Sequence, residues 1–445
     1  MSVGDTLRES WATRTGFILA AVGSAVGLGN IWRFPFVVGE SGGAAFLIVY
    51  LLFIILIGMV AMLVEFVIGR RTELNPVGAI REFGGPAWRY VGLLFIFTGI
   101  VLLSFYSVAA GWAIRYTIGS VTGGYLEDPG AYFGLISAGW DAVVFHLIFM
   151  ILVIGIVALG VQRGIELAVK LMVPSIIILI VGLAIYALTL PEAGEGYAFY
   201  LSPDLGVLAA EWQTILPSAA GQAFFTLSLG MGVMITYASY LASDRNLAED
   251  GAVIIGLDTG IAFVVGLVVF PILAAAAVEF GEPGPGAVFV SLSEAFGDIT
   301  GGWILGFVFF FVLTIAAISS AISLIEVVVA YLIDEYGVDR KIAAAGMGAV
   351  IFVVGIPTAL DTGILTLYDA LAANVLLLLG GVIMVILVGW VHPEKSLDEI
   401  ERGVDNIGRW GIAWLWAVRV PVLLVLLLAL VLAVIGFVEE VQAFI

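Results

Sequence analysis

Cysteine is absent from the 445 residues, and the only two histidines, His146 and His392, lie far apart in the chain. Disulfides and thiolate chemistry are therefore excluded, and a transition-metal site has no ligand cluster to build on. Charge is scarce as well. Only 12% of residues are Asp, Glu, Lys or Arg, about half the share of an ordinary soluble domain. Basic residues are the rarer sign, 17 against 35 acids, and the net charge of −18 argues against a nucleic-acid partner. Such an acidic surplus also suits a surface kept solvated in a very salty habitat.

What fills the chain instead is apolar: 62% of residues are hydrophobic and the mean hydropathy is +1.17. Apolar runs of about 20 residues or more recur from end to end, the pattern of an all-α polytopic membrane protein. The first run is too long and too elaborate for the core of a cleavable signal. Eleven spans are expected, at 12–39, 44–69, 89–121, 141–160, 165–190, 212–242, 252–279, 303–333, 341–357, 364–391 and 412–437. With the N-terminus inside, fifteen of the seventeen bases fall in cytoplasmic segments, leaving only Arg33 and Arg115. The positive-inside rule thus predicts a cytoplasmic N-terminus and an external C-terminus.

The first span interrupts itself. Residues 23–35 read GSAVGLGNIWRFP, with Gly23, Gly27 and Gly29 where Leu or Ile would serve a membrane helix better. Gly23 and Gly27 fit close helix packing as a small-xxx-small pair. They equally fit a broken helix, whose freed carbonyls and amides are tolerated in hydrocarbon only around a cavity or site. A dinucleotide-binding loop fits poorly, since no strand precedes these glycines. The sixth span carries a second interruption, SLGMG at residues 228–232. Two broken spans, five apart, predict a five-plus-five inverted repeat with a binding site near mid-bilayer. The repeats would be 12–190 and 212–391, with 412–437 a peripheral helix 11.

At these residues the chain resembles the neurotransmitter:sodium symporters, and among them the leucine-transporter-like amino-acid carriers of bacteria and archaea. The matching motifs are WATRTGFILAAVGSAVGLGNIWRFPF from Trp11, GQAFFTLSLGMG from Gly221 and ITYASY from Ile235, with weaker support from AAISSAIS at Ala316 and LYDAL at Leu367. The resemblance covers the chain through span 10. It implies sodium-coupled symport of amino acids across the cell membrane by alternating access, with no enzymatic activity. The implied partners are two Na+ ions, a small amino-acid substrate and the lipid bilayer.

Residue by residue, the resemblance implies a first sodium site at Ala25, Asn30, Thr226 and Asp258, a suitable oxygen set for a hard cation. It implies a second at Gly23, Val26, Ala316, Ser319 and Ser320. Ser319 and Ser320 can also be read as hydroxyls bonded back to their own helix. The substrate carboxylate would meet the amides of Leu28 and Gly29 and the hydroxyl of Tyr106. Leu102, Phe225, Ser228, Met231, Ser320 and Leu324 would line the side-chain pocket, which is mostly apolar and points to hydrophobic or aromatic L-amino acids. Phe225 and Leu324 serve ordinary packing equally well. Monoamine carriers of this family place an aspartate where Gly27 stands, so the substrate here is expected to bring its own carboxylate.

A carboxylate at mid-membrane is functional by default, and Asp258 is the informative one. Chloride-dependent relatives bind an anion at positions matching Tyr50, Gln222, Thr226 and Ala262, and some chloride-independent ones carry a glutamate at the last of these. Here the acid, Asp258, comes one helical turn earlier, and chloride-independent transport is expected. Arg33 with Asp369 matches an outer gate, under which Tyr106 and Phe225 form a lid. Arg8 with Asp334, beside Trp11 and Tyr240, matches an inner gate, although such a pair also reads as solvated surface charge. Gly164 and Pro174 mark a stretch of span 5 able to unwind. Glu65 matches a brace for the break in span 6, and Glu326 has no role from sequence. A transport-inactive amino-acid sensor or a sodium-permeable channel on the same fold are the alternatives.

Overall fold

The computed structural model describes residues 10–281, 286–402 and 409–444. Two stretches, 20–35 and 219–241, are buried at every position. A helix apolar on all sides must lie inside other helices, so these stretches form the centre of the bundle. They are the two interrupted spans.

Span 1 begins as Arg14–Ala25, capped by Thr13, whose side chain accepts from the Gly16 amide. It stops at Val26, which is extended, and resumes as a π-turn Gly29–Arg33 running into Phe34–Glu40. The two halves meet at 44°. Span 6 is likewise two helices, Leu205–Thr226 and Val233–Ala238. Between them Ser228, Gly230 and Gly232 have φ of +54°, +79° and +78°. At Gly230 an added β-carbon would also sit 2.1 Å from the Leu377 carbonyl oxygen, so only glycine fits. The Gly230 amide, cut off from any helical acceptor, donates to Glu65 at 2.7 Å. Glu65 thereby satisfies a backbone group that hydrocarbon cannot.

Among the described residues nine helices are long and apolar enough to cross a membrane, and the bent pair of span 1 makes a tenth. Span 6, the remaining expected crossing, is divided between its two shorter helices. Span 8, Gly302–Tyr336, and span 3, Arg89–Thr122, run long and unbroken beside the centre. The window of span 11, Trp410–Phe444, is only 22% buried, the least of the nine.

Five helices outside the expected spans went unread in the sequence: Pro76–Gly84, Pro129–Ile136, Ala193–Leu201, Ala287–Asp298 and Pro393–Glu401. They are too short to register as apolar runs. Two of them carry side-chain caps, Asn75 and Asp128, of the kind that marks a helix start. Span 5 opens with a π-turn, Val161–Glu166, containing Gly164, and continues as Leu167–Ala187 with Pro174 inside it. The stretch expected to unwind is therefore helical in this state.

Candidate functional site

Glycine at position 27 leaves the turn open on the side facing spans 3 and 8. A β-carbon there would lie 2.0 Å from Ser320 Oγ and 2.7 Å from Tyr106 Oη. The Tyr106 hydroxyl instead accepts from the Leu28 amide at 3.1 Å. A phenol and a backbone amide thus converge where the second half of span 1 begins. Such a pair can receive a carboxylate, because both groups can turn their donors to it.

On the other side of the break stands Asp258, fully buried on span 7, Leu247–Ala275. Its carboxylate accepts from Asn30 Nδ2 at 2.8 Å and from Thr226 Oγ1 at 3.2 Å to each oxygen. Asn30 Oδ1 accepts from the Gly27 amide at 3.1 Å, closing the turn on itself. Spans 1, 6 and 7 therefore meet at one acid, with Ala25 and Asn30 flanking the break. The carboxylate faces the Asn30 amide nitrogen and the Thr226 hydroxyl; with Asn30 turned to offer Oδ1 instead, the group suits a hard monovalent cation.

The second expected group is also gathered. Ser319 Oγ lies 2.9 Å from the Ala316 carbonyl oxygen and 3.4 Å from that of Val26. Ser320 Oγ lies 2.8 Å from the Ser24 carbonyl oxygen and 3.4 Å from that of Gly23. One bond of Ser319 thus returns to its own helix, while Ser320 reaches across to the broken one. Both hydroxyls can donate to these carbonyls and keep lone pairs for a cation.

Between the two groups a small cavity of about 10 Å³ is lined by Ser24, Ala25, Gly29, Leu102, Tyr106, Phe225, Ser228, Met231, Ser320 and Leu324. That is about the room of one water, so entry of a larger molecule requires the surrounding helices to part. Ser24, with Asn30, stands out in sequence as a polar residue within the interrupted stretch of span 1, but sequence assigns it no partner. It bonds Ser323 at 2.6 Å and Ser228 at 3.0 Å, a hydroxyl cluster drawn from spans 1, 6 and 8. Serines spaced this far apart in sequence give no local signal of meeting. Leu28 and Thr226 are not part of the cavity lining.

The positions matched to an anion site differ in what they bond. Gln222 donates to the Gly29 carbonyl and accepts from Arg33, both at 2.8 Å. The buried Tyr50 hydroxyl is near Thr226 and Asp258 but short of good hydrogen-bond geometry, and Ala262 is buried and apolar. Of the four, Thr226 is the one bonded to the Asp258 carboxylate.

Above the cavity Arg33 faces Asp369 at 3.6 Å and lies over the Phe225 ring at 5.2 Å. Its two terminal nitrogens are committed elsewhere, to Gln222 and, at 2.9 Å, to Asn374. Beyond Arg33 and Phe225 opens a cavity of about 460 Å³, whose lining includes Trp32, Glu40, Asp369 and Glu440. Asn374 also lines it, Glu440 comes from the otherwise exposed span 11, and neither carries a local sequence signal.

At the opposite end Trp11 donates through Nε1 to the Tyr237 carbonyl at 3.0 Å and packs edge-on to Tyr240 at 6.0 Å. Asp334 accepts from the Asn75 amide at 2.9 Å. Arg8 lies outside the described residues. Glu326 now has surroundings: it accepts from Tyr240 at 2.9 Å and from both terminal nitrogens of Arg340 at 2.7 and 2.9 Å. Buried Glu166, unremarked in sequence, accepts from the Ala12 amide and Thr13 at 3.0 Å each and pairs with Lys170 at 2.7 Å. The start of span 1 is thereby tied to the head of span 5.

The family model described as the Sodium:neurotransmitter symporter family matches residues 8–126 and 137–443. An uncharacterised sodium-dependent transporter of Bacillus subtilis is 34% identical, over 96% of this chain and 98% of its own. One from Methanocaldococcus jannaschii is 35% identical, over 92% of this chain and 86% of its own. The crystal structure of MhsT in complex with L-phenylalanine superposes with a TM-score of 0.88 at 42% identity, covering 96% of this chain and 100% of the other.

Proposed function

The chain belongs to the sodium:neurotransmitter symporter family, and from that membership we propose that it carries hydrophobic or aromatic L-amino acids into the cell with two sodium ions and without chloride. The family is one of secondary transporters, not enzymes, and the protein is an integral multi-pass protein of the plasma membrane. The observation that carries the finer reading is the pairing of Tyr106 with the Leu28 amide beside an Asp258–Asn30–Thr226 group. A place for a carboxylate and a place for a cation share one helix break. An amine without its own acid would leave the first place unfilled.

The shared break is also the basis of coupling. Substrate carboxylate and sodium each favour the presence of the other, which is a reciprocal coupling free energy. Alternating access follows if the joint load binds the outward and inward states unequally, since equal binding would shift nothing. Five-plus-five repeats over 12–190 and 212–391 would then rock about the two interrupted spans, with the N-terminus and the inner gate cytoplasmic. The 42% identity to MhsT, crystallised with L-phenylalanine, supports an aromatic side chain in the pocket.

Proteoliposomes loaded with a sodium gradient are expected to accumulate leucine or tryptophan, and unlabelled glutamate and lysine should compete poorly. Replacing chloride by gluconate should leave uptake unchanged. Stronger competition by charged amino acids would overturn the pocket reading, and collapse in gluconate would overturn the role of Asp258. Sodium current without saturable uptake would point to a channel, and binding without counterflow to a sensor.

Tyr106→Phe removes one donor to a carboxylate and leaves the ring in place. It should raise KM for the amino acid about tenfold with Vmax within a factor of two. An unchanged KM would place the carboxylate elsewhere.

A further inference from the structure

We propose that Asn374 is a second arm of the outer gate, and that a π-turn in span 10 is what puts it there. The proposal rests on the reading of Arg33 as the gate residue. Span 10 runs from Thr362–Asp369 directly into a π-turn, Ala370–Leu376. In an α-helix, residues five apart are turned about 140° from each other, so Asp369 and Asn374 would not share a face. A π-turn, bonded i to i+5, brings them onto one face, and such turns recur at functional sites.

Both side chains do reach the same guanidinium. Asn374 Oδ1 accepts from Arg33 Nη2 at 2.9 Å, whereas Asp369 Oδ1 stands 3.6 Å from Arg33 Nε. Arg33 Nε and Asp369 Oδ1 are both buried without a hydrogen bond. The neutral amides of Gln222 and Asn374 therefore hold the fork, and the ion pair is left one step short. Gln222 belongs to span 6 and Asn374 to span 10, so the gate joins spans 1, 6 and 10 through uncharged acceptors. A hydrogen bond to a charged donor is worth more than a neutral one, and losing it should loosen the lid substantially. Asn374 Oδ1 also lies 3.0 Å from where a β-carbon on Gly221 would sit, so this face of span 10 is pressed against span 6.

The lack of cysteine gives a clean test. A single thiol introduced by Leu102→Cys lies in the small cavity beneath Arg33 and Phe225, and an impermeant maleimide added from outside reports how often the lid opens. This readout needs no substrate. Asn374→Leu, close in size but with no acceptor, is expected to speed labelling about tenfold, and Asn374→Ala should do the same. Asn374→Asp keeps the acceptor and should label within twofold of the parent. Equal labelling in parent and Asn374→Leu would overturn the proposal. So would acceleration of the same size in Asn374→Asp, since that variant keeps both the acceptor and the shape. Arg33→Leu separates the two readings. If it opens the lid and Asn374→Leu does not, only the Asn374 arm fails; if Arg33→Leu changes nothing, the gate itself is wrongly placed.

Discussion

Asparagine in place of Asp258 should weaken the apparent sodium affinity of uptake about 100-fold in chloride-free medium, with part of the loss recovered by adding chloride. The carboxylate is fully buried and receives Asn30 and Thr226. Asparagine keeps an oxygen for those two partners, so the helices should still meet. What disappears is a negative charge beside the cation, at a depth where bulk water cannot screen it. Sodium would then be neutralised by the substrate carboxylate alone. A mobile anion in the same polar neighbourhood, beside the unbonded Tyr50 hydroxyl, could restore the balance. Sodium titrations of uptake, with and without chloride, measure this directly. An unchanged midpoint would remove Asp258 from the cation site.

The second large effect belongs to Gly27. Alanine there would place its methyl 2.0 Å from Ser320 Oγ and 2.7 Å from Tyr106 Oη. One of the two must move, and either movement dismantles something: Tyr106 leaves the Leu28 amide, or Ser320 leaves its carbonyl partners on span 1. Overpacking of this kind is expected to lower substrate affinity about 100-fold, measured as sodium-dependent binding of the labelled amino acid. Gly155→Ala is the control, since nothing lies within 4 Å of a β-carbon at that position. Binding that survives Gly27→Ala while Gly155→Ala is silent would mean that the turn is looser than its packing implies.

The class of the protein was legible from composition and run length, because burial in lipid demands long apolar helices whatever their arrangement. The two breaks were legible as well. Glycine at 23, 27 and 29 and again at 230 and 232 leaves a local mark, and a buried acid such as Asp258 stands out against an apolar run. Short helices such as Pro129–Ile136 left too little apolar pattern to be seen. The π-turn Ala370–Leu376 left none, since alanine, leucine and valine suit an α-helix as well.

The sequence by itself therefore determined that the chain crosses the membrane many times and that two crossings fail at defined residues. Only the tertiary structure decided which side chains answer those failures. Asn374 reaches Arg33 across 341 positions, Ser323 reaches Ser24 across 299, and Glu166 holds residues 12 and 13 from about 150 positions away. A residue's own type and neighbours dictate whether its backbone can stay helical. They say nothing about which distant side chain will lie opposite once the helices pack.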